Sequence, residues 1–123
     1  MKVIKLIICL IFGLMFINAG LNKFLNYMPM EEMTTEQMKI MQAFIEITWL
    51  MPLVGAIEII GGFLFILPKT RALGAIVILP VMVGILCHNI TFEPSGIIIA
   101  LPFFLINLLV IADNWKKYKP MFS

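Results

Sequence analysis

The chain has 123 residues, 62% of them apolar and only 13% charged, with a net charge of +2. Soluble domains carry roughly a quarter of their residues as charges, and a water-soluble fold of this length has too little interior to hide so much apolar surface. The composition therefore excludes an ordinary soluble protein and leaves one domain, residues 1–123, that takes the lipid bilayer as its solvent.

A helix needs roughly 20 apolar residues to cross the hydrocarbon layer. The first such stretch runs from Val3 to Leu21, interrupted only by Lys5, Asn18 and glycines. It imitates a secretory signal, with Ala19 as a conceivable cleavage point. However, Ile17 is bulky where a small residue is needed, and the apolar run is long, so it reads as a retained helix. Cys9, after Leu6-Ile7-Ile8, lies too close to the start for a lipid attachment site.

A long acidic connection follows, with Glu31, Glu32, Glu36 and Glu46. Thr34 with Gln37 three residues on resembles a capping box and predicts a helix starting near Thr35. Met30, Met33, Gln37, Met41 and Phe44 keep helical spacing, as expected of a short amphipathic helix at the outer membrane surface. Met28-Pro-Met30-Glu-Glu-Met33 clusters thioethers that suit Cu(I). Yet the chain has ten methionines throughout, and methionine is a pliable filler for such a helix; filler is the favoured reading, and no metal site is assigned.

The second span runs from Thr48 to Leu67 and ends at Pro68, with Pro52 offering a place for a bend. Near its middle lies Glu58, the only ionisable group in residues 54–67. A carboxylate at the centre of a bilayer costs about 3 kcal/mol or more, so it calls for a partner or a role. The third and fourth spans, residues 72–88 and 96–112, follow short connections, which makes spans two, three and four antiparallel neighbours. The expected fold is all-α: a four-helix transmembrane bundle with the amphipathic helix in its outer first loop.

Orientation follows from Lys and Arg near the span ends. Lys2, Lys5, Lys69, Arg71, Lys116, Lys117 and Lys119 fall on one side, Lys23 and Lys39 on the other with most of the acids. Both termini are therefore predicted to be cytoplasmic. Trp115 and Tyr118 stand where interfacial anchors are expected.

Helical rise puts Glu58 and Asn107 near the midplane, Asn18 about 6 Å and His88 about 11 Å outward. Lys23 can reach inward along its stem. Gly55, Glu58 and Gly62 share a face, as do Gly74, Val77, Val81, Gly84 and His88, and Gly96, Ala100, Phe103 and Asn107. Small residues allow close helix approach, so these are the predicted buried faces. The expectation is a polar pocket opening outward, with Glu58 at its floor, His88 at its mouth, and Lys23, Asn18 and Asn107 contributing. Each group also has a structural reading: Glu58 hydrogen-bonded to Asn107 or Asn18, His88 as an interfacial cap, and Asn18, Asn89 and Asn107 as helix–helix glue. Cys9 and Cys87 lie roughly 15 Å or more apart along the membrane normal and read as small apolar residues that do not pair. Nothing resembles a phosphate-binding loop, a zinc quartet, a catalytic triad or a nucleic-acid surface.

Phe12-Gly-Leu-Met-Phe-Ile-Asn-Ala-Gly20-Leu-Asn-Lys23-Phe looks like the first-helix signature of the DoxX family. Gly55-Ala-Ile-Glu58-Ile-Ile-Gly61-Gly62, then Lys69-Thr-Arg71-Ala and His88, resembles the second. The similarity covers about residues 10–110. It implies a small four-helix protein, typically of the bacterial inner (plasma) membrane, with Lys23, Glu58 and His88 as the residues carried over. Relatives suggest two roles. One is the membrane component of a redox or respiratory-linked system, with a quinone as ligand and an oxidoreductase subunit as partner. The other is a non-enzymatic membrane scaffold or assembly factor. A small solute or proton carrier fits less well, since four short spans leave little room for alternating access without a homo-oligomer, and no inverted repeat is visible. Where the family often has Arg at the start of the first helix, this chain has Lys2 and Lys5. No reaction is assigned.

Overall fold

A computed structural model describes residues 2–25 and 33–122, and every regular element among them is helical. In chain order these are α1 (Lys2–Leu25), α2 (Thr35–Glu46), α3 (Leu50–Ile66), α4 (Arg71–Phe92), a 3-10 turn at Pro94–Gly96, α5 (Ile97–Asp113), and a short α6 (Trp115–Tyr118) that runs into a final 3-10 turn. Met28, Met30, Glu31 and Glu32 lie outside the described residues, so the methionine cluster and the acids beside it are not placed.

Among the described residues, three helices are long and apolar enough to cross a membrane: α1, α4 and the segment from Pro94 to Asp113. With 17 residues, α3 is about 25 Å long and meets the criterion only together with α2, from which it is bent by 87°. The bend falls at Ile47–Trp49 rather than at Pro52. Pro52 is the third residue of α3, where the missing N–H has no intrahelical partner to lose. The first regular bond runs from Leu53 N–H to the Trp49 carbonyl.

The capping box forms as the sequence predicts: Gln37 N–H donates to Thr34 Oγ1 at 3.2 Å, and Thr34 N–H donates to Gln37 Oε1 at 3.0 Å. Sequence boundaries fall short elsewhere. α1 continues to Leu25 and α4 to Phe92, so His88 stands inside a helix rather than at its end.

Glycine pairs set the α1–α3 contact. A β carbon on Gly20 would lie 2.5 Å from the Gly55 carbonyl oxygen, and one on Gly62 would lie 2.6 Å from that of Gly13. The paired numbers run in opposite directions, so the two helices are antiparallel and nearly backbone to backbone. Gly74 brings α4 onto α3 in the same way, against Phe65 and Gly61. α4 in turn packs on α5. Between these contacts sits the core of Cys9, Phe12, Phe16, Phe65, Ala75, Ile78, Met82 and Val110, with the Phe12 and Phe65 rings stacked at 4.5 Å.

One end of the molecule is tied by polar contacts. Lys5 pairs with Asp113, joining the start of α1 to the end of α5. The Tyr118 hydroxyl donates to the Ala72 carbonyl at 2.6 Å. Tyr118 is thus buried against α4 and is not the exposed anchor the sequence suggests, while Trp115 is exposed. Arg71, one of the basic residues counted on this side, is also buried. Its Nε donates to the Phe65 carbonyl and its Nη2 to that of Ile66, both at 3.0 Å, and the Thr70 hydroxyl takes the Leu64 carbonyl at 2.8 Å. Three carbonyls that α3 leaves without intrahelical partners are therefore satisfied by its own connecting turn.

Candidate functional site

The close approach of α1 to α3 decides where the charges meet. Gly20 lies against Gly55, which brings the last turn of α1 alongside the middle of α3. Lys23, one turn further on, lies close enough to place Nζ 2.5 Å from Oε1 of Glu58. Glu58 is 3% exposed and Lys23 21% by side chain. Among the described residues, no partner other than Lys23 reaches Oε1. The attraction is charge on charge in a site largely closed to water, where it is far stronger than at a surface.

Glu58 lines two cavities. The larger, of about 470 Å³, lies beneath α2: Met41 and Phe44 form its roof, Leu50, Val54 and Glu58 of α3 and Pro80, Gly84 and His88 of α4 form its walls, and Lys23 stands at its edge. The second, of about 340 Å³, lies where α1 and α5 part, with Met15, Phe16 and Ala19 on one side and Ile99, Ala100 and Phe103 on the other. Both volumes fall in the range of about 300–1,000 Å³ typical of small-molecule sites. Ile85 is the other residue common to the two.

Of the residues singled out from sequence, Lys23, Glu58 and His88 come together around the cavity beneath α2. His88 is half-buried and held between two rings, Phe44 at 5.7 Å and Phe92 at 5.4 Å between centroids. Asn18 and Asn107 line neither cavity. Asn18 is exposed on α1. Asn107 is 0% exposed and donates its Nδ2 to the Ala75 carbonyl at 3.1 Å, a clamp between α4 and α5 that leaves Oδ1 unpaired. Among the described residues, Glu58 pairs with Lys23.

Gly84 departs from its predicted use as well. A β carbon there would meet nothing within 4 Å; it widens the cavity beneath α2 instead of admitting another backbone. Sequence reading missed Asn89 as a wall of the α1–α5 cavity. Its Nδ2 donates to the Ile85 carbonyl at 2.8 Å, and its amide oxygen occupies the space that a side chain on Gly96 would take. The pair Asn89 and Gly96 was the available signal, since a glycine opposite a polar residue marks a close approach.

The arrangement is an acid, an ammonium and an imidazole around a chamber whose other walls are apolar. Such a site can donate hydrogen bonds to ligand oxygens from Lys23 and His88 and hold a proton at Glu58. Cys9 is buried in the core and Cys87 exposed on α4, so neither reaches this chamber's wall. A model of the DoxX family matches residues 4–92, well over half of the chain, a stretch that includes Lys23, Glu58 and His88. No match was found among curated proteins or among solved structures.

Proposed function

This chain belongs to the DoxX family, and from that premise we propose that it is the membrane component of a redox-linked system whose chamber beneath α2 receives the head group of a quinone. The observation that carries the reading is the meeting of Lys23, Glu58 and His88 on one otherwise apolar cavity. A quinone head is flat, apolar on its faces and bears two carbonyl oxygens that accept hydrogen bonds. Lys23 and His88 supply donors, and Phe44, Val54 and Val81 supply apolar walls. Reduction of a quinone to a quinol takes up two electrons and two protons. The electrons belong to a partner oxidoreductase; Glu58 and His88 are the groups that can pass protons at the ring oxygens.

The same reading completes the architecture. We place α1, α3, α4 and α5 as a four-helix transmembrane bundle in a bacterial plasma membrane, with the end that carries Lys2, Lys5, Lys69, Lys116, Lys117 and Lys119 inward. α2, turned 87° from α3, then lies along the outer surface as the roof of the chamber. Charge placement and helix geometry support this orientation.

The alternative, a non-enzymatic scaffold or assembly factor, would need a face for other membrane helices. Gly13, Gly20, Gly55, Gly61, Gly62 and Gly74 all pack against neighbouring helices of the same chain, so of the glycines on the predicted faces of α3 and α4 only Gly84 stands open.

The test is equilibrium binding of a short-chain quinone to the protein in lipid vesicles, comparing wild type with Glu58→Gln and His88→Ala and using surface Glu36→Gln as control. Both chamber variants are expected to weaken binding about tenfold or more, equivalent to ~1.4 kcal/mol, and the control to leave it unchanged. Unchanged binding in both chamber variants overturns the reading.

A further inference from the structure

The α1–α5 cavity has no part in the chamber beneath α2 except at Glu58 and Ile85, and its position is informative. Near the tied end α1 and α5 are joined, by Lys5 with Asp113 and by the Phe12 and Phe103 rings at 5.8 Å. Further along they part, and the gap is lined by Met15 and Ala19 of α1 and by Ile99 and Ala100 of α5. Met15 is 46% and Ile99 66% exposed. In a membrane such side chains face hydrocarbon, so the gap is a sideways opening from the lipid toward Glu58. Its only polar side chains are Glu58 at the inner wall and Asn89, whose amide nitrogen is already bonded. The rest of its lining is apolar, which suits an apolar chain.

Resting on the quinone reading, we propose that this cavity holds the isoprenoid chain of the ligand whose head group occupies the chamber beneath α2, so that the ligand enters from the bilayer between α1 and α5. Three features of the molecule support this assignment. The two cavities share Glu58 and Ile85, so head and chain of one molecule meet at a common wall. The hydrogen-bond donors Lys23 and His88 are confined to one cavity and absent from the lining of the other, which matches the two ends of an amphipathic lipid. The α1–α5 gap is edged by the exposed Met15 and Ile99 and faces lipid, where a ligand with a long apolar chain is dissolved. Ile85 is the side chain that must give way at the junction, and at 36% exposure it has room to change rotamer.

The test uses wild-type protein in phosphatidylcholine vesicles with two probes: a benzoquinone carrying an isoprenoid chain with a diazirine near the ring, and the same benzoquinone without a chain. After irradiation, adducts are expected on Met15, Ala19, Ile99 or Phe103. Ala19→Phe, which fills the gap, is expected to weaken the chain-bearing probe about tenfold or more and to leave the chainless probe unchanged. Adducts on Met41, Leu50 or Val54, or spread over lipid-facing residues such as Ile4 and Leu109, overturn the chain assignment while leaving the head-group reading intact. Failure of both probes to bind overturns the two together.

Discussion

Lys23 in the last turn of α1 and Glu58 in the middle of α3 form an ion pair at 2.5 Å, in a position fixed by the backbone contact of Gly20 with Gly55. A buried pair is costly to break by halves, because the survivor is left as an uncompensated charge; such losses run to about 3–5 kcal/mol. Lys23→Met is therefore expected to destabilise by about 3 kcal/mol. Glu58→Gln, which leaves the more exposed lysine free to turn toward water, is expected to cost less. The double variant Lys23→Met with Glu58→Gln should be more stable than Lys23→Met alone. Unfolding in mild detergent measures all three, and simple additivity would show that the two residues do not act as a pair.

The glycines divide into those that admit a backbone and one that does not. Gly20→Val and Gly62→Val drive side-chain atoms into the carbonyls of Gly55 and Gly13, and overpacking of this kind costs about 1–3 kcal/mol or more. Gly84→Ala meets open space and gains helix propensity, so it is expected to be neutral or to stabilise by up to about 1 kcal/mol. Equal damage from all three would mean that helix approach is not set at these positions.

How much of this could be read from the chain depends on the kind of force involved. The capping box at Thr34 and Gln37 is local and was legible. Glu58 was legible as an anomaly because a lone carboxylate in an apolar run has few alternatives. Its partner was not: Lys23 and Asn107 were both in reach by depth, and only the register set by Gly20 against Gly55 selects the lysine. The burial of Arg71 was not legible, because a count of basic residues by side says nothing of where a guanidinium points. The free carbonyls at the end of α3, five and six residues earlier, draw it inward. The rotation of Asn18 was not legible either: it stands on the exposed side of α1 although its depth is suitable.

Arg71 gives a sharp prediction for that reason. Its planar fork reaches two carbonyls at once, which a lysine's single ammonium cannot reproduce. Arg71→Met is expected to destabilise by about 2–4 kcal/mol, since hydrogen bonds from charged groups contribute about 1.5–3 kcal/mol each. Arg71→Lys should recover only part of that. Thermal unfolding of the two variants side by side checks the order; a fully restored Arg71→Lys would mean that charge alone matters there.

Tyr118 couples the end of the chain to pH. Burial pushes its phenol pKa up from the ordinary value, so the folded state holds the proton more tightly than the unfolded state does. Its contribution is fully present below about pH 10, the ordinary tyrosine value, and is lost as pH rises from there through the folded value. Tyr118→Phe removes the bond to the Ala72 carbonyl and is expected to cost about 1 kcal/mol at neutral pH. It should also flatten the alkaline fall in stability. A fall of the same size in the variant would assign the alkaline loss to other groups.

The most direct measurement is native mass spectrometry of the protein released gently from its own membrane. The account predicts a bound quinone on the wild type, retained in Glu36→Gln and lost in Glu58→Gln. A protein that carries no small molecule, or one that Glu58→Gln holds as firmly as wild type, contradicts it.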